Sequence, residues 1–381
     1  MEKIIVVGGD GFCGWPTSLQ LSSEGYEVHI IDNLSRRSID NELNSMSLTP
    51  IASVERRIKK ANELIGNIKF HKIDVAEERD KLRNIIDEVK PNAIIQFAEQ
   101  RAAPYSMISD KERCYTVDNN IKGTHNICSA IVDIDKDIHL IHLGTMGVYG
   151  YSKEYGAIPE GYLNIKINQT SKDVDVLYPA NPGSIYHMTK CLDQLIFQFY
   201  NKNWGLKITD LHQGIVWGIS TECTLKHEDL ANRFDFDGIY GTVLNRFIVQ
   251  AANNYPLSVY GTGGQTRAFI HISDTAKCLS LAIKNKPDRN KVRIFNQVAE
   301  VKSVKQLAEL IGSKYGSKIS QIDNPRNELA DNELEVSNSG LLSLGFEPIL
   351  LTDKLIEDIY ILADQLTSNF NEDLVLTSPK W

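Results

Sequence analysis

The chain has 381 residues and a formal net charge of -8 at pH 7. That acidic balance, with no long basic run, argues against general nucleic-acid binding, and no apolar stretch reaches the roughly 20 residues a membrane span needs. Six scattered cysteines without a close pair point to reduced thiols in a cytoplasm rather than to a disulfide frame or a zinc site, and no metal is expected. Lys3-Ile-Ile-Val-Val7 turns fully apolar from Ile4, so that no leader is expected ahead of it, and runs straight into Gly8-Gly-Asp-Gly11-Phe-Cys-Gly14. A buried strand turning sharply into a helix on such a loop is a dinucleotide-binding pattern. Its glycines let the backbone approach a pyrophosphate, whose charge sits at the helix N-terminus. A second apolar run, Glu27-Val-His-Ile-Ile31, ends in Asp32, placed where an acid holds an adenosine ribose.

Strand and helix patterns then alternate. After Asn33-Leu-Ser-Arg36-Arg37, a polar insertion runs from residue 38 to about 66, helical over 53–64. Strands are predicted at 68–73, ending in Asp74-Val75, at 92–97, and at 139–143; helices are predicted at 77–89 and 114–132. This alternation predicts an α/β fold: a Rossmann-like doubly wound parallel sheet with helices on both faces and a smaller C-terminal substrate lobe. Ligands should bind at the carboxyl ends of the strands. In the later half, helices are predicted at 184–204, 242–253, 303–315 and 350–368, with Ser303 placed to cap the third. Strands are predicted at 207–211, 215–217, 256–260 and 268–272. Residues 221–241 read as a polar stretch, and the tail 369–381 as loosely held. Residues 1–205 are mainly the dinucleotide-binding domain and 206–381 mainly the substrate lobe, interleaved with the sheet.

Dinucleotide enzymes that oxidise an alcohol need a base for the hydroxyl proton. A tyrosine serves if a cation lowers its pKa, and a lysine four residues later on a helix lies one turn away. The chain has three such pairs, Tyr149/Lys153, Tyr162/Lys166 and Tyr186/Lys190. The first crosses Gly150 just beyond a strand and the second lies in strand-like alternation. The third opens a long helix and is preferred. Thr145, just after the fifth strand, is the matching hydroxyl to orient the substrate alcohol.

These features resemble the extended short-chain dehydrogenase/reductases that act on nucleotide sugars. Pro256-Leu-Ser-Val-Tyr-Gly261 and Gly264-Gln-Thr-Arg267-Ala-Phe-Ile-His-Ile-Ser-Asp274 are similar to that family's nucleotide-diphosphate clamp. Glu99-Gln-Arg-Ala-Ala-Pro-Tyr-Ser-Met107, Gly144-Thr-Met-Gly147, Asn245-Arg-Phe247 and Asn324-Pro-Arg326 resemble more closely the UDP-sulfoquinovose synthase family within it. The resemblance implies NAD as cofactor, UDP-glucose and sulfite as substrates, and a homodimer formed through the helices at 114–132 and 184–204. Whether free sulfite or a sulfite-donor protein delivers the anion stays open. By the same resemblance Gly8, Gly11, Phe12, Cys13, Gly14, Asp32, Asn33, Arg36, Arg37, Asp74, Val75, Ala98, Asn119, Lys190 and Val216 hold the cofactor. Gln213, Thr242, Asn245, Leu257, Val259, Arg267 and Arg326 line the nucleotide sugar, and Glu99, Gln100 and Arg101 adjoin it, the last two guiding sulfite. Related 4,6-dehydratases carry Asp-Glu after the threonine where this chain has Met146-Gly147. The base at the sugar's C5 is therefore sought elsewhere, with His187 first and Glu99 second. The rival readings are a UDP-sugar 4-epimerase and a non-catalytic NAD-binding regulator on the same fold.

Overall fold

The N-terminal apolar run forms β1 (Lys3–Val7), buried from Ile4 onward, and the glycine loop hands it to α1 (Gly14–Ser23). The computed structural model describes residues 1–150, 156–166 and 173–381. The chain continues through β2 (Glu27–Asp32), α2 (Ser35–Leu43), α3 (Val54–Leu64), β3 (Ile68–Lys72), α4 (Arg79–Val89), β4 (Ala93–Gln96), α5 (Asp110–Ile134) and β5 (His139–Thr145). A hairpin of β6 (Tyr162–Lys166) and β7 (Asp173–Leu177) precedes α6 (Ile185–Trp204), β8 (Lys207–Gln213) and β9 (Ile215–Trp217). Then come α7 (Val243–Ala252), β10 (Leu257–Tyr260), β11 (Thr266–His271), α8 (Ile272–Lys284), β12 (Arg293–Gln297) and β13 (Glu300–Ser303). The last are α9 (Val304–Tyr315), β14 (Ile319–Ile322), α10 (Ser339–Ser343) and α11 (Asp353–Gln365).

Seven strands form one sheet in the order β12-β8-β5-β4-β1-β2-β3, parallel at every pairing. Both faces are covered, so β1 and β4 read as nearly continuous apolar runs, while β8 and β12 bury polar side chains among apolar ones. The chain order reverses between β1 and β4, and the crevice outside their carboxyl ends is where such a sheet binds its ligand. The later half thus contributes β8 and β12 to this sheet. Its other strands form two small sheets, β10 with β14 and β9 with β11 and β13. Ser303 caps α9 through a reciprocal bond pair with Gln306. Among the described residues no helix is long and apolar enough to cross a membrane.

Three expectations are corrected. The insertion after β2 opens with α2, which the polar composition hid. An Arg36–Asp40 pair one turn apart fastens it, and Arg233 grips the same Asp40. The 221–241 stretch is polar in composition but buried in place. Leu230, Phe234 and Phe236 enter the main core, while Arg233 and Asp235 neutralise each other and their neighbours inside it. The tail is docked, not loose. Leu374 and Val375 are buried, Leu374 O accepts from Gly238 N, and Trp381 bonds through its backbone to Pro325 and Asn327.

Candidate active site

A cavity of about 800 Å³ opens at the carboxyl ends of the sheet strands. At its cofactor end the fit for a dinucleotide is set by missing side chains. A Cβ on Gly14 would lie 2.1 Å from Gly8 O, and one on Gly8, whose φ is +81°, 2.6 Å from Ala98 N. Only glycine permits this backbone contact. Asp32 lies at the end of β2, accepting from the backbone N–H of Asp10 and Leu34. Burial, with Asp10 nearby, pushes its carboxyl up to about 6. Gly11, Phe12, Cys13, Asn33, Arg36, Val75, Ala98, Asn119 and Val216 line the same end. Arg36 lies 3.6 Å over the Tyr240 ring. Arg37 instead binds Asp10 at 2.6 Å and the Ala52 carbonyl, and does not line the cavity. Asp74 faces an adjoining recess, where it accepts from Asn33.

Helix α6, which carries Tyr186 and Lys190, is positioned by its own cap and by the 99–107 loop. Ser184 Oγ accepts from His187 N, and Ser106 Oγ accepts from Tyr186 N at 3.1 Å. Asn120 braces both sides, donating to Gln100 O and Thr189 Oγ1. Of the three tyrosines, only Tyr186 reaches the cavity. Tyr149 is buried against His212 and Asn296, and Tyr162 donates to Val292 O; Lys153 lies outside the described residues. Tyr186 shares a hydrogen bond with Thr145, and Lys190 Nζ stands 6.0 Å from its ring centre. Burial raises the Tyr186 phenol above 10.0, Lys190 opposes that, and Glu99 adds to it.

His187 packs where a side chain at position 147 would be. A Cβ on Gly147 would lie 2.4 Å from His187 Nε2. Its Nδ1 meets Ser184 Oγ at 3.2 Å. Burial, followed by the charges of Arg326 and Arg267, pushes it down to about 3, so the ring is neutral and its Nε2 side faces the cavity wall at Gly147. Glu99 is bound on both oxygens, to His142 at 2.9 Å and to Lys190 at 2.7 Å. Glu99, His142 and Asp193 have the donor types of a metal site, but the Lys190 ammonium supplies the cation there.

The far end of the cavity is cationic and under-satisfied. Arg246, Arg267 and Arg326 line it with Gln213, Thr242, Ser258, Tyr260 and Gln265. Thr242 Oγ1, Arg246 Nε, Gln265 Oε1 and Arg326 Nε are buried there without a hydrogen-bond partner among the described residues. A polyanionic, hydroxyl-rich ligand would satisfy them. Sequence reasoning chose residues one place off on two elements. Leu257 and Val259 point into the core while Ser258 and Tyr260 face the cavity. Asn245 holds the Gly218 backbone, and its neighbour Arg246 lines the site. Gln100 is committed to Ala102 and Thr116. Arg101 lines the cavity beside Phe12 and Tyr240, pairs with Asp235 at 2.9 Å, and lies within electrostatic reach of Tyr186. Trp381 was missed. It lines the cavity and donates from Nε1 to Gly183 O at 3.0 Å.

The model of the NAD dependent epimerase/dehydratase family matches residues 4–296. A curated chloroplastic UDP-sulfoquinovose synthase of Spinacia oleracea is 41% identical over 100% of this chain and 79% of its own length. The UDP-sulfoquinovose synthase of Sulfolobus acidocaldarius is 39% identical over 96% of this chain and 92% of its own. Among solved structures, a UDP-glucose 4-epimerase of Thermotoga maritima with UDP-glucose superposes with a TM-score of 0.71. It is 20% identical, over 97% of this chain and 100% of its own, a likeness of fold.

Proposed function

The chain belongs to the UDP-sulfoquinovose synthases, within the NAD dependent epimerase/dehydratase family, and from that footing we propose how its cavity joins sulfite to UDP-glucose. NAD is the cofactor; when bound it accepts a hydride at the sugar's C4 and gives it back at the end of the cycle. Tyr186 takes the proton of the 4-hydroxyl, which Thr145 orients. The C4 ketone makes the C5 hydrogen acidic. His187 removes it and passes a proton to the departing 6-hydroxyl, which leaves as water, so a C5=C6 alkene remains conjugated to the ketone. Bisulfite gives its proton to the His187 imidazole as its sulfur lone pair forms the bond to C6. The electron pair moves to the C4 oxygen and returns as C5 takes a proton from His187. Tyr186 finally reprotonates the C4 oxygen. The sum is UDP-glucose and bisulfite in, UDP-sulfoquinovose and water out.

The observation that carries this reading is the exchange at Gly147. A base from the loop after Thr145 has no side chain there, and the His187 imidazole occupies that space. Arg246, Arg267 and Arg326 suit a diphosphate. A bound diphosphate offsets the two arginine charges that depress His187, making it a stronger base when substrate is present. Arg101 is the anion-attracting group for sulfite, a role that Gln100, tied into its own loop, does not share. Leu195, Phe199 and Trp204 leave an exposed apolar stripe on α6, which supports a homodimer through α5 and α6. The free cysteines suit a reducing compartment such as the cytoplasm.

Purified protein incubated with UDP-glucose, NAD+ and sulfite tests the reading, with the nucleotide sugars weighed by mass spectrometry. We expect a sulfonated nucleotide sugar that needs sulfite and disappears in Tyr186→Phe. UDP-galactose without any sulfonate would make the chain an epimerase and refute the proposal.

A further inference from the structure

Beneath Tyr186, Lys190 leads into a row of buried charged groups, and the chemistry above gives the rest of that row no task. Lys190 Nζ donates to Leu143 O at 2.7 Å and pairs with Glu99 Oε2 at 2.7 Å. The other oxygen of Glu99 meets His142 Nε2 at 2.9 Å, and His142 Nδ1 meets Asp210 Oδ1 at 2.8 Å. Asp210 Oδ2 goes on to His212 at 3.0 Å, and His212 to Tyr149 OH at 2.6 Å. The side chains of Glu99, His142, Lys190 and Asp210 are at most 4% exposed. Burying that many charges is costly unless each is paired; here each cation faces a carboxylate, and Glu99 stands between two cations that themselves approach to 3.0 Å, Lys190 Nζ and His142 Nε2.

We propose that Glu99, His142 and Asp210 are positioning residues: the chain anchors the Lys190 ammonium at Leu143 and tempers its field at Tyr186, and so sets the pH at which the phenol gives its proton to solvent and becomes the base for the 4-hydroxyl. Glu99 sits at the branch. It balances Lys190 on one oxygen and is held in place by His142 on the other, while Asp210 pins His142 from behind. The charge states agree. Burial and then Lys190 push His142 down, yet Asp210 and Glu99 outweigh them and lift it to about 9. Burial opposes the Lys190 charge, but Glu99, Tyr186 and Asp193 raise it above 10.5. The groups facing Tyr186 and Lys190 are Glu99 and Arg101 from the loop after β4, His142 and Thr145 from β5, and His187 and Asp193 from α6. Burial and Glu99 hold Asp193 up, toward its neutral form. Glu99 is therefore the carboxylate set against the lysine, and it is not free to act as the C5 base.

This inference rests on Tyr186 as the base for the 4-hydroxyl, so its test separates the two. The first readout needs no turnover. In cofactor-free protein labelled with 15N-histidine, the resonance lost in His142→Gln should show both ring nitrogens protonated at pH 8; a neutral ring would overturn the proposal. The second is the pH profile of C4 oxidation with UDP-glucose alone, followed by the absorbance of the reduced cofactor. Glu99→Gln removes a negative charge, so the acid limb should move down by about one pH unit while KM for UDP-glucose stays within about twofold. Asp210→Asn, which touches neither Tyr186 nor Lys190, should move the same limb and reduce the His142 double protonation. Variants that lose rate or thermal stability with an unmoved limb would show a merely structural chain. Absence of C4 oxidation in the wild type would refute the Tyr186 reading instead.

Discussion

Gly147 shows how a missing side chain can carry chemistry. Its Cβ would meet three atoms of the His187 ring within 3.0 Å, and a ring anchored to Ser184 can yield only by turning out of the cavity. Gly147→Ala should therefore lower formation of the sulfonated product about 100-fold, in line with the loss of a positioned general base, while C4 oxidation persists. Stopped-flow absorbance alongside product analysis would show the split; equal loss of both steps would mean that the loop as a whole had collapsed. At this scale the sequence was only partly legible. Tyr186 could be separated from two other Tyr-x-x-x-Lys pairs because its context was helical. The cavity-facing side of β10 could not be fixed, because Leu257, Ser258, Val259 and Tyr260 are all buried or nearly so and a strand's two faces exchange with a shift of one residue.

Among the elements, the 99–107 loop and the tail do the most to shape the site, and they differ in how readable they were. The loop is a dense run of residues whose side chains brace α6 through Ser106 and the Gln100–Asn120 pair, so its chemistry stands out in the sequence. The tail carries no periodicity, and its docking depends on partners far away in the chain. Gly238 has room for no Cβ because Thr377 N and Ser378 N lie within 2.8 Å of where it would be. Beyond that contact Trp381 ties the Pro325–Asn327 loop to Gly183, beside the start of α6. Trp381→Ala should raise KM for UDP-glucose by roughly tenfold, the equivalent of about 1.4 kcal/mol, with a smaller effect on kcat. An unchanged KM would make Trp381 a bystander at the rim.

For the whole molecule, the alternating pattern of the first half was enough to read a doubly wound sheet, since β1 and β4 are nearly unbroken apolar runs and β2 and β5 carry apolar cores. What composition hid was the charge buried behind them, because a polar residue looks the same in sequence whether it is solvated or paired inside. That buried charge shapes the stability of the cofactor-free protein. Burial pushes His139 down to about 3 and His271 to about 4 from 6.5, and lowers His29 and His71 as well. The unfolded chain binds protons there that the folded one does not, so stability falls as pH drops below 6.5. Asp32, raised to about 6, works the other way between there and 3.8, as do the raised carboxyls of Asp193, Asp237, Asp274 and Glu160, while the lowered carboxyls of Asp10, Glu99, Asp210 and Asp235 act with the histidines. His142, lifted to about 9, contributes stability that is complete below 6.5 and lost as pH rises through 9. Tm should therefore peak close to neutrality and decline on both sides, and a Tm still rising from pH 6 to pH 4 would contradict this balance.

Every step after C4 oxidation depends on proton removal from C5 by His187. Turnover of UDP-glucose with sulfite in D2O measures it directly, with C5 of the product read by NMR and the same reaction repeated with His187→Gln. The account predicts deuterium at C5 of UDP-sulfoquinovose from the wild type, and from the variant C4 oxidation with neither C5 exchange nor sulfonate. Sulfonated product with protium at C5, or full exchange in His187→Gln, would contradict it.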